Sequence, residues 1–123
     1  MNNLKVKGLS GVIMSSAEPE KLAAFYNQVL GISLKLNRHG NTPEHWECDY
    51  GGVHFAILKV KSAEQPSGNI VLSFAVDDIN EYIAAHAIEL IHPIMDLGEG
   101  VAVASFKDTD GNTLRLWTDK FIK

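Results

Sequence analysis

Glu18-Pro19-Glu20-Lys21-Leu22-Ala23-Ala24-Phe25-Tyr26-Asn27-Gln28-Val29-Leu30-Gly31 is the stretch that decides the fold. Proline in a first helical turn needs no N–H partner, and acids beside it oppose the positive end of the helix dipole. Leu22, Phe25, Tyr26, Val29 and Leu30 follow at spacings of 3, 1, 3 and 1, which places them on one helical face. Gly31 stops the helix, as a glycine just past the last turn does. Upstream, Gly11 to Ser16 reads as a short strand. Downstream, Ile32 to Leu36 alternates apolar and polar residues, the pattern of a half-buried strand.

Asn37 to Pro43 is polar and reads as a loop. His45 to Tyr50 and Val53 to Leu58 flank Gly51-Gly52, a two-residue hairpin signal because both turn positions need positive φ. A linker at 61–68, containing Pro66, follows. Then the plan recurs. Ile70 to Val76 is a strand with Ile70, Leu72, Phe74 and Val76 on one face. Asp77-Asp78 opens a helix with Ile79, Tyr82, Ile83 and Ala87 on its inner stripe. Ile88 to Met95 reads as a strand that Pro93 confines to an edge. Val101 to Phe106 and Thr113 to Trp117 form a last pair joined by Asp108-Thr109-Asp110-Gly111-Asn112. The halves align at a shift of about 60, with Gly11 on Val71, Ser16 on Val76 and Glu18 on Asp78. Such repetition constrains the whole fold. It predicts an α+β chain of two βαβββ modules, 4–60 and 69–120, in a single domain spanning 1–123. The two sheets are expected to curve into one mixed sheet around a central cup.

The chain has 123 residues, enough for one ordinary domain. Eleven Lys and Arg against fifteen Asp and Glu give a net charge of −4 with no basic run, which argues against a nucleic-acid partner. The single cysteine, Cys48, excludes an internal disulfide and any site of several thiolates. No apolar stretch approaches the ~20 residues that span a bilayer, and Met1 to Lys7 carries no apolar signal-peptide core. The expectation is a cytoplasmic protein with no membrane partner.

Side-chain alternation sorts the hairpin into two faces. Trp46, Cys48, Tyr50, Val53, Phe55 and Ile57 belong under the helix; His45, Glu47, Asp49, His54, Ala56 and Leu58 belong on the opposite face. In the last strand Leu114 and Leu116 take the helix side, leaving Thr113, Arg115 and Trp117 opposite. The first strands add Gly11, Ile13 and Ser15, and Val71, Ser73 and Ala75. Apolar walls with a few placed polar groups suit a small-molecule site. Arg115, Trp117, Ile13, Ser15, Ser73 and His54 are therefore the candidate ligand-binding residues. Arg115 either meets an anionic group or pairs with Glu47 or another carboxylate. His54 beside Asp49 is either an oriented general base, with Glu47 as the second candidate catalytic residue, or a solvated cross-strand contact. Trp117 is either a stacking platform or packing surface. Cys48 reads as a buried, inert thiol. His39, His86 and His92 receive no role.

The run from Pro19 through Phe25-Tyr26 to Leu30-Gly31, together with Asp108-Thr109-Asp110-Gly111-Asn112-Thr113-Leu114-Arg115-Leu116-Trp117, resembles the vicinal oxygen chelate superfamily over roughly Leu4 to Asp119. That group includes glyoxalase I, extradiol dioxygenases and bleomycin resistance proteins. The resemblance implies a cup with a divalent metal held from the first and fourth strands of each module. Carried over, those ligand positions fall on Gly11, Val71, Arg115 and Ala56, or Phe55 if the register slips by one. None donates a lone pair, and a guanidinium there repels a cation. The resemblance thus implies a small-molecule-binding homodimer with no metal or other cofactor. The alternative is a glyoxalase-type lyase, isomerase or dioxygenase that uses no metal, or one displaced to His45, Glu47, Asp49 and His54.

Overall fold

The computed structural model describes residues 9–37, 44–61 and 70–122. The expected linker, apart from Lys61, lies outside them, as do the N-terminal segment before Leu9, residues 38–43 of the expected loop and His39. The chain divides into two compact units, 1–63 and 64–123.

The first unit runs β1 (Gly11–Ser16), α1 (Pro19–Leu30), β2 (Lys35–Asn37), β3 (His45–Tyr50) and β4 (Val53–Lys59). The second runs β5 (Leu72–Ala75), α2 (Ile79–Ala85), β6 (Met95–Gly98), β7 (Val101–Lys107) and β8 (Thr113–Thr118). The sheets have orders β1-β4-β3-β2 and β5-β8-β7-β6. In each, the first strand pairs in parallel with the last, and the other pairs are antiparallel. The repeated βαβββ plan is therefore present, one four-stranded mixed sheet per module.

α1 begins at Pro19 and ends where Gly31 turns left-handed (φ 67°) and donates its N–H to the Tyr26 carbonyl. Leu22, Ala23, Tyr26 and Leu30 are buried. The Tyr26 ring lies 5.3 Å from that of Phe55 on β4. Burying side chains of this size stabilises by about 1.5–3 kcal/mol each. α2 is capped by Asp78, whose Oδ1 accepts from the Glu81 N–H at 3.0 Å. Ile79 is its buried anchor. Ala87, read into the helical stripe, lies beyond the helix with φ 50°.

Two strands are displaced from the reading, and a third, expected at Ile70–Val76, is shortened to Leu72–Ala75. The strand expected at Ile32–Leu36 is Lys35–Asn37. Ile32 and Leu34 are buried as the alternation requires while Leu36 is exposed, and Asn27 engages both backbone groups of Leu34. Its Oδ1 accepts from Leu34 N at 2.8 Å and its Nδ2 donates to Leu34 O at 3.0 Å. The helix thus occupies the groups a sheet neighbour would need. The strand expected at Ile88–Met95 is Met95–Gly98, at the edge of its sheet as expected. Pro93 has no N–H to give a ladder, and Ile91 N donates instead to Ser105 O at 2.8 Å.

The loop before β8 is built on Asp108. Its Oδ1 accepts from the backbone N–H groups of Asp110 and Asn112, each at 2.9 Å, and its Oδ2 accepts from Asn112 Nδ2 at 2.8 Å. Asp108 and Asn112 are both buried, and Gly111 supplies the positive φ. The turn is a hydrogen-bonded plug rather than an ion loop. No helix among the described residues is long and apolar enough to cross a membrane.

Candidate functional site

In the first unit α1 packs beside the Phe55 and Ile57 side of the sheet, and pairing sets what stands on the opposite face. Gly51 and Gly52 adopt φ of 60° and 83°, which fixes the hairpin register that alternation requires. Asp49 faces His54, Glu47 faces Ala56 and His45 faces Leu58. β1 adds Gly11 beside His54, Ile13 beside Ala56 and Ser15 beside Leu58. β2 adds Lys35 beside Glu47 and Asn37 beside His45. Ile13 and Leu58 are exposed apolar residues on this face, whereas Ala56 is buried.

Glu47 is the centre of the polar set. Its Oε1 lies 3.0 Å from His45 Nε2 and 3.3 Å from His54 Nε2. Its Oε2 accepts from Asn37 Nδ2 at 2.8 Å. The side chains of Glu47 and His45 are only 13% and 11% exposed; those of His54 and Asp49 are 45% and 87% exposed. His54 Nδ1 stands 3.4 Å from Asp49 Oδ1. A half-buried carboxylate shared by two imidazoles, one of them open to solvent, can orient a ring and exchange its proton.

Alternation put His54, Glu47, Ile13 and Ser15 on one face, and the structure gathers them there. It did not assign Asn37, which it read as the start of a loop. Nor did it give His45 a part in the candidate catalytic pair. The signal for both was pairing: a strand ending at Asn37 places it opposite His45.

In the second unit Ser73 pairs with Arg115 and Ala75 with Trp117, and β7 sets Ser105 opposite Arg115 and Val103 opposite Trp117. Leu114, Leu116 and Thr118 are buried on the helix side, while Arg115 and Trp117 are exposed. Arg115 forms no ion pair with another described residue.

Cys48 takes the helix side, pairing with Phe55. Burial pushes its thiol pKa above the ordinary value; a backbone hydrogen bond from Ser33 opposes this, and the Asp49 charge adds to it. Among the described residues, no three His, Cys, Asp or Glu side chains are arranged to hold a metal ion. The positions carried over as metal ligands do not fit one either. Arg115 is cationic, Val71 and Ala56 are apolar, and a Cβ at Gly11 would come within 3.0 Å of the His54 carbonyl oxygen.

Hollows of about 570 and 290 Å³ open beside the starts of α1 and α2. They sit at matching points of the two modules, so they follow from the strand-to-helix corner of the fold. Neither includes the Glu47 cluster or Arg115.

A family model described as the Glyoxalase/Bleomycin resistance protein/Dioxygenase superfamily matches residues 9–116. No curated protein matches the chain in sequence. Among solved structures, a glyoxalase/bleomycin resistance protein/dioxygenase from Nocardioides superposes with a TM-score of 0.68 at 17% identity, over 95% of this chain and 86% of that one. TioX from Micromonospora sp. ML1 gives 0.66 at 16%, over 91% and 98%. Lactoylglutathione lyase from Agrobacterium tumefaciens gives 0.61 at 15%, over 92% and 94%. At these identities the likeness is one of fold.

Proposed function

The chain belongs to the glyoxalase/bleomycin resistance protein/dioxygenase superfamily, and from that membership we propose that it is a small-molecule-binding protein lacking the superfamily's standard metal site. The observation that carries this reading is the helix-free face of the first sheet. Exposed Ile13 and Leu58 stand there beside a half-buried carboxylate and two imidazoles. That mixture of apolar support and few placed polar groups is what binds small ligands. Ser73, Arg115 and Trp117 offer a second ligand-binding set on β5 and β8, with the guanidinium suited to an anionic or carbonyl group. The reading includes a cytoplasmic homodimer with no nucleic-acid or membrane partner.

Native mass spectrometry of freshly purified protein tests it. The expected result is a dimer carrying a small organic adduct and no stoichiometric metal. Arg115→Ala should then weaken binding of that adduct, or of simple aromatic carboxylates, about tenfold, the value of one charge-assisted contact. A protein with no adduct, whose Tm moves with no carboxylate in such a panel, overturns the reading.

The shared Glu47 oxygen favours a second reading, a metal-free lyase or isomerase of glyoxalase type. His54 would move a proton on the bound molecule, with Glu47 orienting it. Turnover abolished by His54→Ala but kept in Arg115→Ala would separate this reading from simple binding.

A further inference from the structure

We propose that the helix-free face of the second sheet holds a small aromatic carboxylate, its charge gripped by Arg115 between Ser73 and Ser105 and its ring laid on Trp117. The inference rests on the binding reading above. It names the chemical class that the β5 and β8 set takes and adds Ser105 on β7, which that reading leaves out.

Strand register arranges this face in rows. Leu114, Leu116 and Thr118 are buried on the helix side of β8, so Arg115 and Trp117 stand on the other. Ser73 on β5 and Ser105 on β7 lie directly beside Arg115, one on each side. Ala75 and Val103 flank Trp117 in the same way, and Met95 on β6 extends that row next to Val103. A polar row of Ser73, Arg115 and Ser105 thus runs alongside an apolar row of Ala75, Trp117, Val103 and Met95, about 6–7 Å away. A ligand with a charge at one end and a flat apolar body at the other matches the two rows.

The polar row is uncommitted. The side chains of Ser73, Ser105 and Arg115 form no hydrogen bond or ion pair with a described residue. Ser105 is only 8% exposed. Among the described residues, no side-chain oxygen or nitrogen is sealed from solvent without a partner, so the Ser105 hydroxyl still opens onto the face. A hydroxyl set this deep, with no bond inside the protein, is placed to donate outward, and a ligand oxygen supplies the partner it lacks.

The charge on this face has one sign. β5, β7 and β8 carry no acid along their length, and Lys107, two residues beyond Ser105, adds an exposed cation on the same side. In a chain of net charge −4, that local excess of positive charge draws an anion. A planar carboxylate suits a single guanidinium, whose parallel N–H groups take both oxygens. It also keeps lone pairs for two hydroxyls, one from each flank. Inorganic phosphate offers no flat apolar body to the second row. Trp117 is 36% exposed, so part of its ring is open for stacking.

Backbone 1H–15N spectra of the full chain titrated with 2-naphthoate test this. Resonances of β5, β7 and β8 should shift together and saturate. Arg115 is exposed, so its variants should keep the wild-type spectrum elsewhere. Arg115→Gln should raise the dissociation constant at least about tenfold, and Arg115→Lys, which keeps the charge without the fork, about threefold. Trp117→Leu should raise it about fivefold. Ser105→Ala should raise it about threefold while leaving Tm within about 2 °C, because the hydroxyl bonds to no described residue in the free protein; a purely structural serine would do the reverse. Cyclohexanecarboxylate and inorganic phosphate should each bind at least about fivefold more weakly than 2-naphthoate. The proposal is overturned if 2-naphthoate moves none of these resonances at about 10 mM, if Arg115→Gln binds it as well as wild type, or if phosphate binds equally well. An organic adduct in native mass spectrometry with no response of these strands sinks this inference and leaves the binding reading standing; neither adduct nor response sinks both.

Discussion

Asp108→Ala should be among the most damaging single changes outside the apolar core. The carboxylate is buried and accepts three hydrogen bonds of 2.8–2.9 Å, from Asp110 N, Asn112 N and Asn112 Nδ2. Bonds to a charged acceptor contribute about 1.5–3 kcal/mol each when buried. Asp110 is half-buried and its N–H can turn to water. The two donors of Asn112, which is buried, lose most. The net loss should be about 3 kcal/mol, or a Tm lower by roughly 10–15 °C for a chain of this size. Urea unfolding followed by circular dichroism gives the number, with the m-value expected to hold. Asp108→Asn keeps an oxygen for the two backbone donors but sets one amide NH2 against another, at about 1–2 kcal/mol. Asn112→Asp sets two carboxylates against each other. Combining them restores a donor opposite an acceptor, so the double variant should recover at least about 1 kcal/mol relative to the sum of the singles. A loss under about 1 kcal/mol for Asp108→Ala, or strict additivity of the pair, would refute the view of this turn as a hydrogen-bonded plug.

Gly52→Ala should cost about 1 kcal/mol in urea unfolding, because alanine resists the φ of 83° found there. Gly51→Asn should stay within about 0.5 kcal/mol, since asparagine tolerates a φ near 60° and Asn-Gly is a favoured hairpin turn. Cys48 should react with iodoacetamide at pH 8 more slowly than free cysteine, its thiol being held protonated chiefly by partial burial. A thiol pKa raised in the folded state means stability present below the unfolded value and lost as pH rises through the folded one. Stability should therefore fall above about pH 9, and Cys48→Ala should flatten that alkaline limb. Prolonged dialysis against EDTA should leave Tm within about 1 °C, since Gly11, Ala56, Val71 and Arg115 offer a metal no lone pair. A fall reversed by added zinc or nickel counts against that.

What the sequence made legible was local pattern with a fixed period. Gly51-Gly52 and the alternation around it dictate every pair from Tyr50–Val53 to His45–Leu58, and all of them form. The repeat was legible because each module must bury one sheet face under one helix. The second strand was not, because Asn27 reaches seven residues along to Leu34, a contact no periodicity encodes. The sixth was misplaced for a related reason. Ile88 to Ile94 has strand-like apolar content, yet Ala87 turns left-handed and Pro93 withholds a donor. At the site, alternation gave the faces but not the reach of side chains across them. It put His45 and Glu47 together without showing that a single oxygen of Glu47 serves two rings.

The metal positions gain meaning from the pairing. Gly11, where a family ligand would stand, lies directly beside His54; Ala56, another, lies directly opposite Glu47. Imidazole and carboxylate are therefore present on this face, one strand over, about 4.8 Å from the carried-over positions. Their donor atoms do not surround an empty point. They turn onto one another, with Oε1 of Glu47 meeting both Nε2 atoms. The hydrogen bond from His45 holds a hydrogen between nitrogen and oxygen, and a cation there would have to displace it and separate the two groups. Nearby, the chain at Gly11 runs so close to the His54 carbonyl that a Cβ there would need the strands to give. Among the described residues, the imidazoles and carboxylates of this face thus close onto one another rather than around a place for an ion.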